Sequence, residues 1–166
     1  MDVFRTPDER FADLPGYDFA PHYTEVDGLR LHHIDEGEGP TVLCFHGEPT
    51  WAYLYRHMLG RLVGAGHRVV CPDLVGFGRS DKPTDTRWYT YERHVASVSG
   101  QLQTLDLRDV TVVVQDWGGP IGLRWAVENA DRVARLVVLN TGLFTGRVSK
   151  GFQAWRDFAE RTPDLP

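Results

Sequence analysis

Apolar residues along this chain follow two patterns that alternate with one another. Short continuous apolar runs, typical of strands covered on both faces, lie at 41–47, 67–74, 110–116 and 135–140. Segments with apolar residues at helical spacing lie between them, at 50–66, 90–107 and 117–130. Thr90 is the predicted N-cap of the second of these helices. Strands that alternate with helices in this way predict an α/β fold with a doubly wound, mostly parallel sheet.

The two ends of the chain depart from this alternation. The segment 22–35 predicts an antiparallel hairpin that turns at Asp27-Gly28, a strong two-residue turn signal. After residue 141 the sequence is loop-like, and 151–161 then has the apolar spacing of a short amphipathic helix. A sheet that stopped at 135–140 would leave an apolar edge strand unpaired, so we interpret the chain as cut short.

Composition and charge narrow the class of protein. The 166 residues suffice for one domain with a core, and the 18 Lys and Arg are scattered in a chain of net charge −5. That balance argues against nucleic-acid binding. No apolar stretch approaches the roughly 20 residues of a membrane span. The charged amino terminus is no secretory signal, so we expect a cytoplasmic protein that does not bind membranes.

The cysteines and histidines give no sign of a metal site. Cys44 and Cys71 lie in strand-like runs and are expected to be small buried hydrophobes, as suits a reducing compartment. The pair His32-His33 lies on the predicted hairpin, where we expect the rings to face solvent. No Cys/His spacing has the form of a metal-binding motif, so the sequence predicts neither a metal nor a cofactor.

Three segments of chemical interest follow the predicted parallel strands: "FHGEPTW", "PDLVGFGRSD" and "VQDWGG". Ligands bind at the carboxyl ends of the strands in such sheets. In the third segment Asp116 follows a buried strand and precedes a helix, which is the place of the nucleophile in a strand–turn–helix elbow. Gly118 is expected to permit the sharp turn and Gly119 to let the helix pack closely. Asp116 could instead cap the helix that begins at Trp117.

The motifs "HGEPTW", "PDLVGFGRSDKP" and "VVVQDWGG", in this order, resemble those of the haloalkane dehalogenases in the α/β-hydrolase superfamily. The resemblance is to the subgroup with Glu in the oxyanion loop and two halide-binding tryptophans. The general elbow has a glycine where Val114 stands, but valine is usual in that subgroup. The resemblance covers essentially the whole chain and implies an α/β-hydrolase fold. Residues 1–144 would be the amino-terminal part of the core, and 145–166 the start of a truncated helical lid (cap domain).

The resemblance also implies a reaction and the residues that perform it. Asp116 would attack the halogen-bearing carbon to form an alkyl ester, and water would then release a primary alcohol. The backbone N–H groups of Glu48 and Trp117 would form the oxyanion hole. The indoles of Trp117 and Trp155 would hold the halide, and Phe152 would line the substrate pocket. The expected partners are a small uncharged halogenated hydrocarbon, water and halide, in a detoxifying enzyme that is monomeric when intact.

The family's triad runs from nucleophile to acid to histidine along the chain. Here all seven histidines precede Asp116, so the catalytic histidine and the later acid have no counterpart. We therefore expect the isolated chain to be inactive in turnover and to be alkylated at Asp116 at most. His46 is expected to be a structural hydrogen-bonding residue, and Arg79 and Asp81 are expected to form structural ion pairs.

Two other functions stay open at this point. An epoxide hydrolase of the same fold would share the aspartate nucleophile and the "HG-x-P" loop. Glu48 and "GFQAW", however, are explained by halide binding and have no role in epoxide opening. A non-catalytic fragment is suggested by the missing histidine. A serine-type esterase is disfavoured because the elbow carries Asp116, and Trp117 in place of arginine argues against haloacid substrates.

Overall fold

The central feature of the fold is a six-stranded sheet. A computed structural model describes residues 1–142 and 148–162. The strands are β1 (Val3–Phe4), β2 (His22–Val26), β3 (Leu29–Glu36), β4 (Thr41–Phe45), β5 (Arg68–Pro72), β6 (Lys82–Pro83), β7 (Val110–Gln115) and β8 (Val133–Leu139). The sheet has the order β2-β3-β5-β4-β7-β8, and β1 pairs separately with β6.

Four neighbouring strands of the sheet run parallel, which confirms the predicted α/β fold. The strands β5, β4, β7 and β8 pair in parallel register, with Phe45 opposite Val114 and Gln115 opposite Leu139. The predicted hairpin β2–β3 joins the same sheet in antiparallel sense, through the pairing of β3 with β5. Because the parallel strands point the same way, the loops after β4, β5 and β7 meet at one edge.

The helices lie in the segments that the apolar spacing predicts. They are α1 (Arg56–Gly64), α2 (Tyr91–Gln103), α3 (Gly118–Glu128) and α4 (Lys150–Arg161). The Thr90 side chain caps α2, as predicted, by accepting a 3.2 Å hydrogen bond from the Arg93 N–H. One difference is that a short 3-10 helix, Ala52–Tyr55, precedes α1.

Alternate residues of each central strand face two separate cores, as a doubly wound sheet requires. On one face, Leu43 and Phe45 of β4 pack in a cluster with residues of α2 and α3. On the other face, Val42 and Cys44 pack in a cluster with residues of the 3-10 helix and α1. Cys44 and Cys71 are both free and buried, as predicted. These two cores fix the positions of the strand ends that carry the candidate site.

The last strand and the last helix expose apolar side chains. Within the described residues β8 pairs with β7 alone, and Leu136 and Val138 are 52% and 53% exposed. This matches the predicted unpaired apolar edge. The predicted boundary between core and lid, between residues 144 and 145, lies outside the described residues. Of the helices in the described ranges, none has the length and apolar character to cross a membrane.

Candidate active site

The turn between β7 and α3 holds Asp116 in a left-handed conformation. Its φ angle is 49°, in a region that is uncommon for non-glycine residues. Its N–H donates to the Asn140 carbonyl at 3.2 Å, and its carbonyl accepts bonds from Gly119 N–H at 2.8 Å and Thr141 Oγ1 at 2.6 Å. Strain held in place by surrounding contacts is typical of functional sites. The turn has the strand–turn–helix form predicted for a nucleophile elbow.

The glycines of this turn differ in part from their predicted roles. We expected Gly118 to permit the sharp turn, but Asp116 itself takes the positive φ, which a short polar side chain tolerates. A Cβ on Gly118 would collide with the carbonyl oxygens of Phe45 and His46, so this glycine lets α3 approach the end of β4. A Cβ on Gly119 would collide with Thr141, which agrees with the predicted close packing.

The Asp116 carboxylate contacts the loop after β4 and does not cap α3. Its Oδ1 accepts a 2.9 Å hydrogen bond from the Glu48 N–H. The N-cap residue of α3 is Trp117, and it makes no side-chain capping bond. The helix-cap interpretation of Asp116 is therefore wrong. Gly47 permits the contact, because a Cβ there would collide with the Asp116 side chain and with the Trp117 backbone nitrogen.

An open pocket of about 410 Å³ lies beside the elbow. Two of its lining residues flank the Asp116 carboxylate: Glu48 through the hydrogen bond, and Trp117 as the next residue in the chain. Most of the lining is apolar or aromatic, which suits an uncharged ligand. The lining residues are Glu48, Leu74, Gly76, Phe77, Tyr89, Thr90, Tyr91, His94, Trp117 and Ile121.

The start of α2 supplies a part of the pocket that sequence reasoning missed. Thr90, Tyr91 and His94 line it, and the Tyr91 hydroxyl donates to the Pro120 carbonyl at 3.0 Å, which ties α2 to α3. Nδ1 of His94 is buried and has no hydrogen-bond partner within the described part of the chain. Burial lowers the pKa of His94. The available signal was the cluster of aromatic and polar residues at the predicted helix start.

Two predicted site residues on α4 do not line this pocket. Phe152 and Trp155 are 37% and 57% exposed, and their rings contact each other with centroids 6.0 Å apart. The structure thus brings Asp116, Glu48 and Trp117 together, and it leaves the two α4 aromatics apart from them. The proposed pocket and halide roles of Phe152 and Trp155 stay predictions.

His46 lies buried beneath the loop after β4 and forms hydrogen bonds at both ring nitrogens. Its Nε2 accepts a 2.9 Å bond from the Leu74 N–H, and its Nδ1 lies 3.0 Å from the Gly47 carbonyl oxygen. Burial lowers the pKa of His46. A neutral ring with its proton on Nδ1 satisfies both contacts. His46 therefore joins the loops after β4 and β5, which confirms its predicted structural role.

The prediction that His32 and His33 face solvent is wrong. Their exposed fractions are 1% and 4%. His32 Nδ1 lies 2.8 Å from Asp73 Oδ2, and His33 Nδ1 lies 3.3 Å from the Gln101 amide nitrogen. The reason is that α2, which carries Gln101, and the loop after β5, which begins at Asp73, both cover the hairpin.

Asp73 is a buried carboxylate that holds two loops together. It accepts hydrogen bonds from the Ala52 N–H at 2.8 Å and from the Arg79 N–H at 2.9 Å. Burial alone would raise the pKa of Asp73, but the hydrogen bond with His32, among other interactions, lowers it below the ordinary value. Across the described ranges, no group of three or more His, Cys, Asp or Glu residues could hold a metal ion.

Two ion pairs tie the loop after β5 to the amino-terminal segment. Arg79 lies 3.3 Å from Asp8, and Arg5 lies 2.7 Å from Asp81. The Asp81 carboxylate also accepts a 2.9 Å hydrogen bond from the Arg30 N–H. These contacts confirm the predicted ion pairs of Arg79 and Asp81.

Comparison with known proteins finds relatives over the whole chain. The haloalkane dehalogenase of Mycobacterium marinum is 53% identical over 175 residues, which include 100% of this chain and 59% of that protein. The tetrameric structure of the haloalkane dehalogenase DpaA from Paraglaciecola agarilytica NO2 matches with a TM-score of 0.94 and 42% identity, covering 100% of this chain and 58% of that one. A mutant epoxide hydrolase of Vigna radiata has a TM-score of 0.72 and 31% identity, covering 84% of this chain and 44% of that one.

The chain spans less than two thirds of the length of the dehalogenases that it matches. Residues 40–165 match the family model described as alpha/beta hydrolase fold. That match takes in the parallel strands, the loop with Glu48 and the elbow with Asp116, which are the parts that build the candidate site. The chain belongs to the alpha/beta hydrolase fold family.

Proposed function

We propose that this chain carries the nucleophile and the halide-binding side of a haloalkane dehalogenase. The observation that carries the proposal is Asp116, held in a left-handed turn with its carboxylate against the Glu48 N–H, beside a mostly apolar pocket. The 53% identity to the dehalogenase of Mycobacterium marinum supports it. The proposed substrates are small uncharged halogenated hydrocarbons, because an apolar pocket favours ligands without charge.

In the first proposed step, Asp116 displaces the halogen. Oδ2 attacks the halogen-bearing carbon, a carbon–oxygen bond forms, and the halogen leaves with the electron pair of its bond as a halide ion. Oδ1 keeps its hydrogen bond to the Glu48 N–H during this step. The product is an alkyl ester on Asp116.

The departing halide needs a donor in a dry environment. Trp117 lines the pocket directly after the nucleophile, and indole offers a single N–H on a large apolar body. We assign the halide-binding role to this N–H. Trp155 is the proposed second halide donor and Phe152 a proposed pocket residue, and for these roles α4 has to bring both rings over the pocket.

In the second proposed step, water attacks the ester carbonyl carbon and the alcohol leaves. Negative charge collects on Oδ1 in the tetrahedral intermediate, where the backbone N–H groups of Glu48 and Trp117 would stabilise it. Water needs a base. In the dehalogenases that the chain resembles, the histidine base follows the nucleophile along the chain, whereas all seven histidines of this sequence precede Asp116. We therefore propose that this 166-residue chain, by itself, stops at the alkyl ester.

Bromide release from 1,2-dibromoethane tests the proposal. We expect about one equivalent of bromide for each chain and then no more, because the ester formed in the first step is not hydrolysed. The Asp116→Asn variant, which lacks a carboxylate nucleophile, is expected to release none. Many turnovers would overturn the proposal that the chain stops at the ester, and release by Asp116→Asn would overturn the nucleophile assignment.

An epoxide hydrolase is the alternative with the same fold and nucleophile. The Vigna radiata epoxide hydrolase is less similar than DpaA, with a TM-score of 0.72 against 0.94. Saturable quenching of tryptophan fluorescence by bromide or chloride, lost in Trp117→Phe, would favour the dehalogenase. A hydroxyalkyl adduct on Asp116 after treatment with styrene oxide, without any such quenching, would favour the epoxide hydrolase.

Three wider expectations stay predictions. They are a cytoplasmic location, a role in detoxification and a monomeric state of the intact protein. The related DpaA is described as tetrameric, so the oligomeric state needs a direct measurement by light scattering.

A further inference from the structure

We propose that the Gly47–Glu48 peptide unit is a polarised oxyanion donor, and that His46 and Thr50 are the positioning residues that polarise it. The inference rests on the proposed function, since it concerns the stabilisation of the ester intermediate on Asp116. It assigns a role to two residues that do not themselves touch the reacting atoms.

Three donors converge on one carbonyl oxygen at this peptide. The Gly47 carbonyl accepts hydrogen bonds from Thr50 Oγ1 at 2.7 Å and from the Thr50 N–H at 2.9 Å, and His46 Nδ1 lies 3.0 Å from it. The Gly47–Glu48 peptide bond is trans, so its N–H points opposite to its C=O. That N–H is the group that donates to Asp116 Oδ1 at 2.9 Å.

The hydrogen bonds of His46 show which nitrogen carries the proton. The Leu74 N–H donates to Nε2 at 2.9 Å, so Nε2 is an acceptor. A neutral ring then has its proton on Nδ1, which donates to the Gly47 carbonyl. The ring is fully buried, and burial favours its neutral form. His46 is thus a fixed donor to the same carbonyl as Thr50.

Polarisation follows from the cooperativity of hydrogen bonds. A carbonyl that accepts bonds withdraws electron density from the amide nitrogen, and each bond in such a chain strengthens the next by roughly 10–30%. The Glu48 N–H is therefore a stronger donor than an isolated amide. Asp116 is half-buried and Glu48 is exposed, and a donor held in place in this way stabilises a developing oxyanion without reorganisation.

The two chemical steps respond to this donor with opposite signs. Alkylation removes the negative charge from the Asp116 carboxylate, so a stronger donor to Oδ1 favours the starting state and slows the step. Attack on the ester places negative charge back on Oδ1, so the same donor speeds that step. A weaker donor is expected to slow ester cleavage and leave alkylation unchanged or faster.

The full chain with the substitution Thr50→Val tests this. The variant removes the side-chain hydroxyl and keeps the backbone N–H. Alkylation is followed with 1-bromobutane, and the purified ester is then cleaved with hydroxylamine. The hydroxylamine nitrogen attacks the ester carbonyl carbon, butanol leaves with a proton, and a hydroxamate stays on Asp116. This readout passes through the oxyanion and needs no histidine base.

Thr104→Val is the matched control. Thr104 Oγ1 donates to the Gln101 carbonyl three residues earlier at 2.7 Å, as Thr50 Oγ1 does to the Gly47 carbonyl at 2.7 Å, but it lies at the end of α2. We expect the ester of Thr50→Val to be cleaved about two- to eightfold more slowly than that of the control. This is roughly 10–30%, on a logarithmic scale, of the 10²–10³-fold effect of removing a whole oxyanion donor. Alkylation is expected to be no slower, and Thr50→Ser is expected to restore the cleavage rate.

The amide proton of Glu48 gives a second readout that does not depend on chemistry. In Thr50→Val we expect its NMR resonance to move upfield, because the hydrogen bond that it donates weakens. An unmoved resonance, or an equal slowing of alkylation and cleavage, would overturn the inference, since a merely structural role slows both. If the unsubstituted chain is not alkylated at Asp116, the proposed function fails. The shift of the Glu48 amide proton in Thr50→Val then still tests whether Thr50 polarises the Gly47–Glu48 peptide.

Discussion

The backbone N–H of Glu48 donates a 2.9 Å hydrogen bond to Oδ1 of Asp116, although 68 positions separate the two residues in the chain. The contact arises because β4 and β7 are parallel neighbours, with Phe45 opposite Val114, so the loops that follow them emerge side by side. Gly118 has no side chain to keep α3 away from the end of β4. This hydrogen bond is the reason that we propose Oδ1 as the oxyanion and Oδ2 as the attacking oxygen.

The left-handed backbone of Asp116 predicts different effects for two substitutions. Asp116→Asn keeps an acceptor oxygen and a side chain that tolerates positive φ, so we expect a free energy of unfolding within about 0.5 kcal/mol of the unsubstituted chain. Asp116→Val puts a β-branched residue at a φ of 49°, and we expect a loss of about 1–3 kcal/mol. Urea denaturation followed by circular dichroism measures both. Equal free energies of unfolding for the two variants would show that the backbone at Asp116 is not strained.

The close approach of α3 to β4 predicts that Gly118 tolerates no side chain. In Gly118→Ala the new methyl group meets the Phe45 and His46 carbonyl oxygens, so we expect a loss of about 1–3 kcal/mol in the free energy of unfolding. The control is Gly60→Ala in α1, where an added Cβ meets nothing within 4 Å. That change is expected to stabilise the helix by about 0.5–1 kcal/mol. Thermal denaturation of both variants measures these changes. A Gly118→Ala variant as stable as the unsubstituted chain would contradict the close approach of α3 to β4.

The buried carboxylate of Asp73 predicts a large effect of removing its charge. In Asp73→Asn a single amide oxygen replaces two carboxylate oxygens that face His32 and the Ala52 and Arg79 N–H groups. We expect a loss of about 2–5 kcal/mol, because the amide nitrogen cannot accept the hydrogen bonds of the carboxylate oxygen that it replaces, and hydrogen bonds to a charged group contribute about 1.5–3 kcal/mol each. Asp85→Asn is the control, since the Asp85–Arg87 pair is on the surface. Its urea midpoint is expected to change little. An equally small change for Asp73→Asn would show that the buried carboxylate does not stabilise the fold.

The buried histidines predict that stability falls in mild acid. Burial lowers the pKa of His33 to about 4 and also lowers the pKa values of His46 and His94. In the unfolded chain a histidine titrates near 6.5. As the pH falls from about 6.5 towards 4, the unfolded chain therefore takes up protons that the folded chain does not, and folding is disfavoured. Above that window the contribution is fully present.

The urea midpoint at about pH 7.5 and at about pH 5 measures this dependence, and we expect the lower value at the lower pH. His33→Gln is expected to reduce the difference between the two midpoints. His57→Gln, at an exposed position of α1, is the control and is expected to leave it unchanged. A higher midpoint in acid would show that these rings are not buried in the neutral form.

The order of elements could be predicted from the sequence because each signal is local. The apolar run 110–116 and the following glycines specify a strand and a helix without reference to the rest of the chain. The same holds for the Asp27-Gly28 turn and for Thr90 as the cap of α2, both of which the structure confirms.

What the sequence could not predict depends on contacts between distant segments. The burial of His32 and His33 requires α2 and the loop after β5 to cover the hairpin. Two adjacent histidines in the sequence do not indicate such contacts with distant segments. The pocket wall contributed by Tyr91 and His94 likewise depends on how α2 lies against α3. The sequence predicts that Gly118 permits the sharp turn, since glycine is the usual residue in a strained backbone conformation, but the residue with the positive φ is Asp116.

Peptide-level mass spectrometry of the chain after treatment with a bromoalkane identifies the residue that displaces the halogen. We expect a single added alkyl group on Asp116, removable by hydroxylamine and absent in Asp116→Asn. An alkyl group found on any other residue, with Asp116 unmodified, would contradict the assignment of this carboxylate as the group that displaces the halogen.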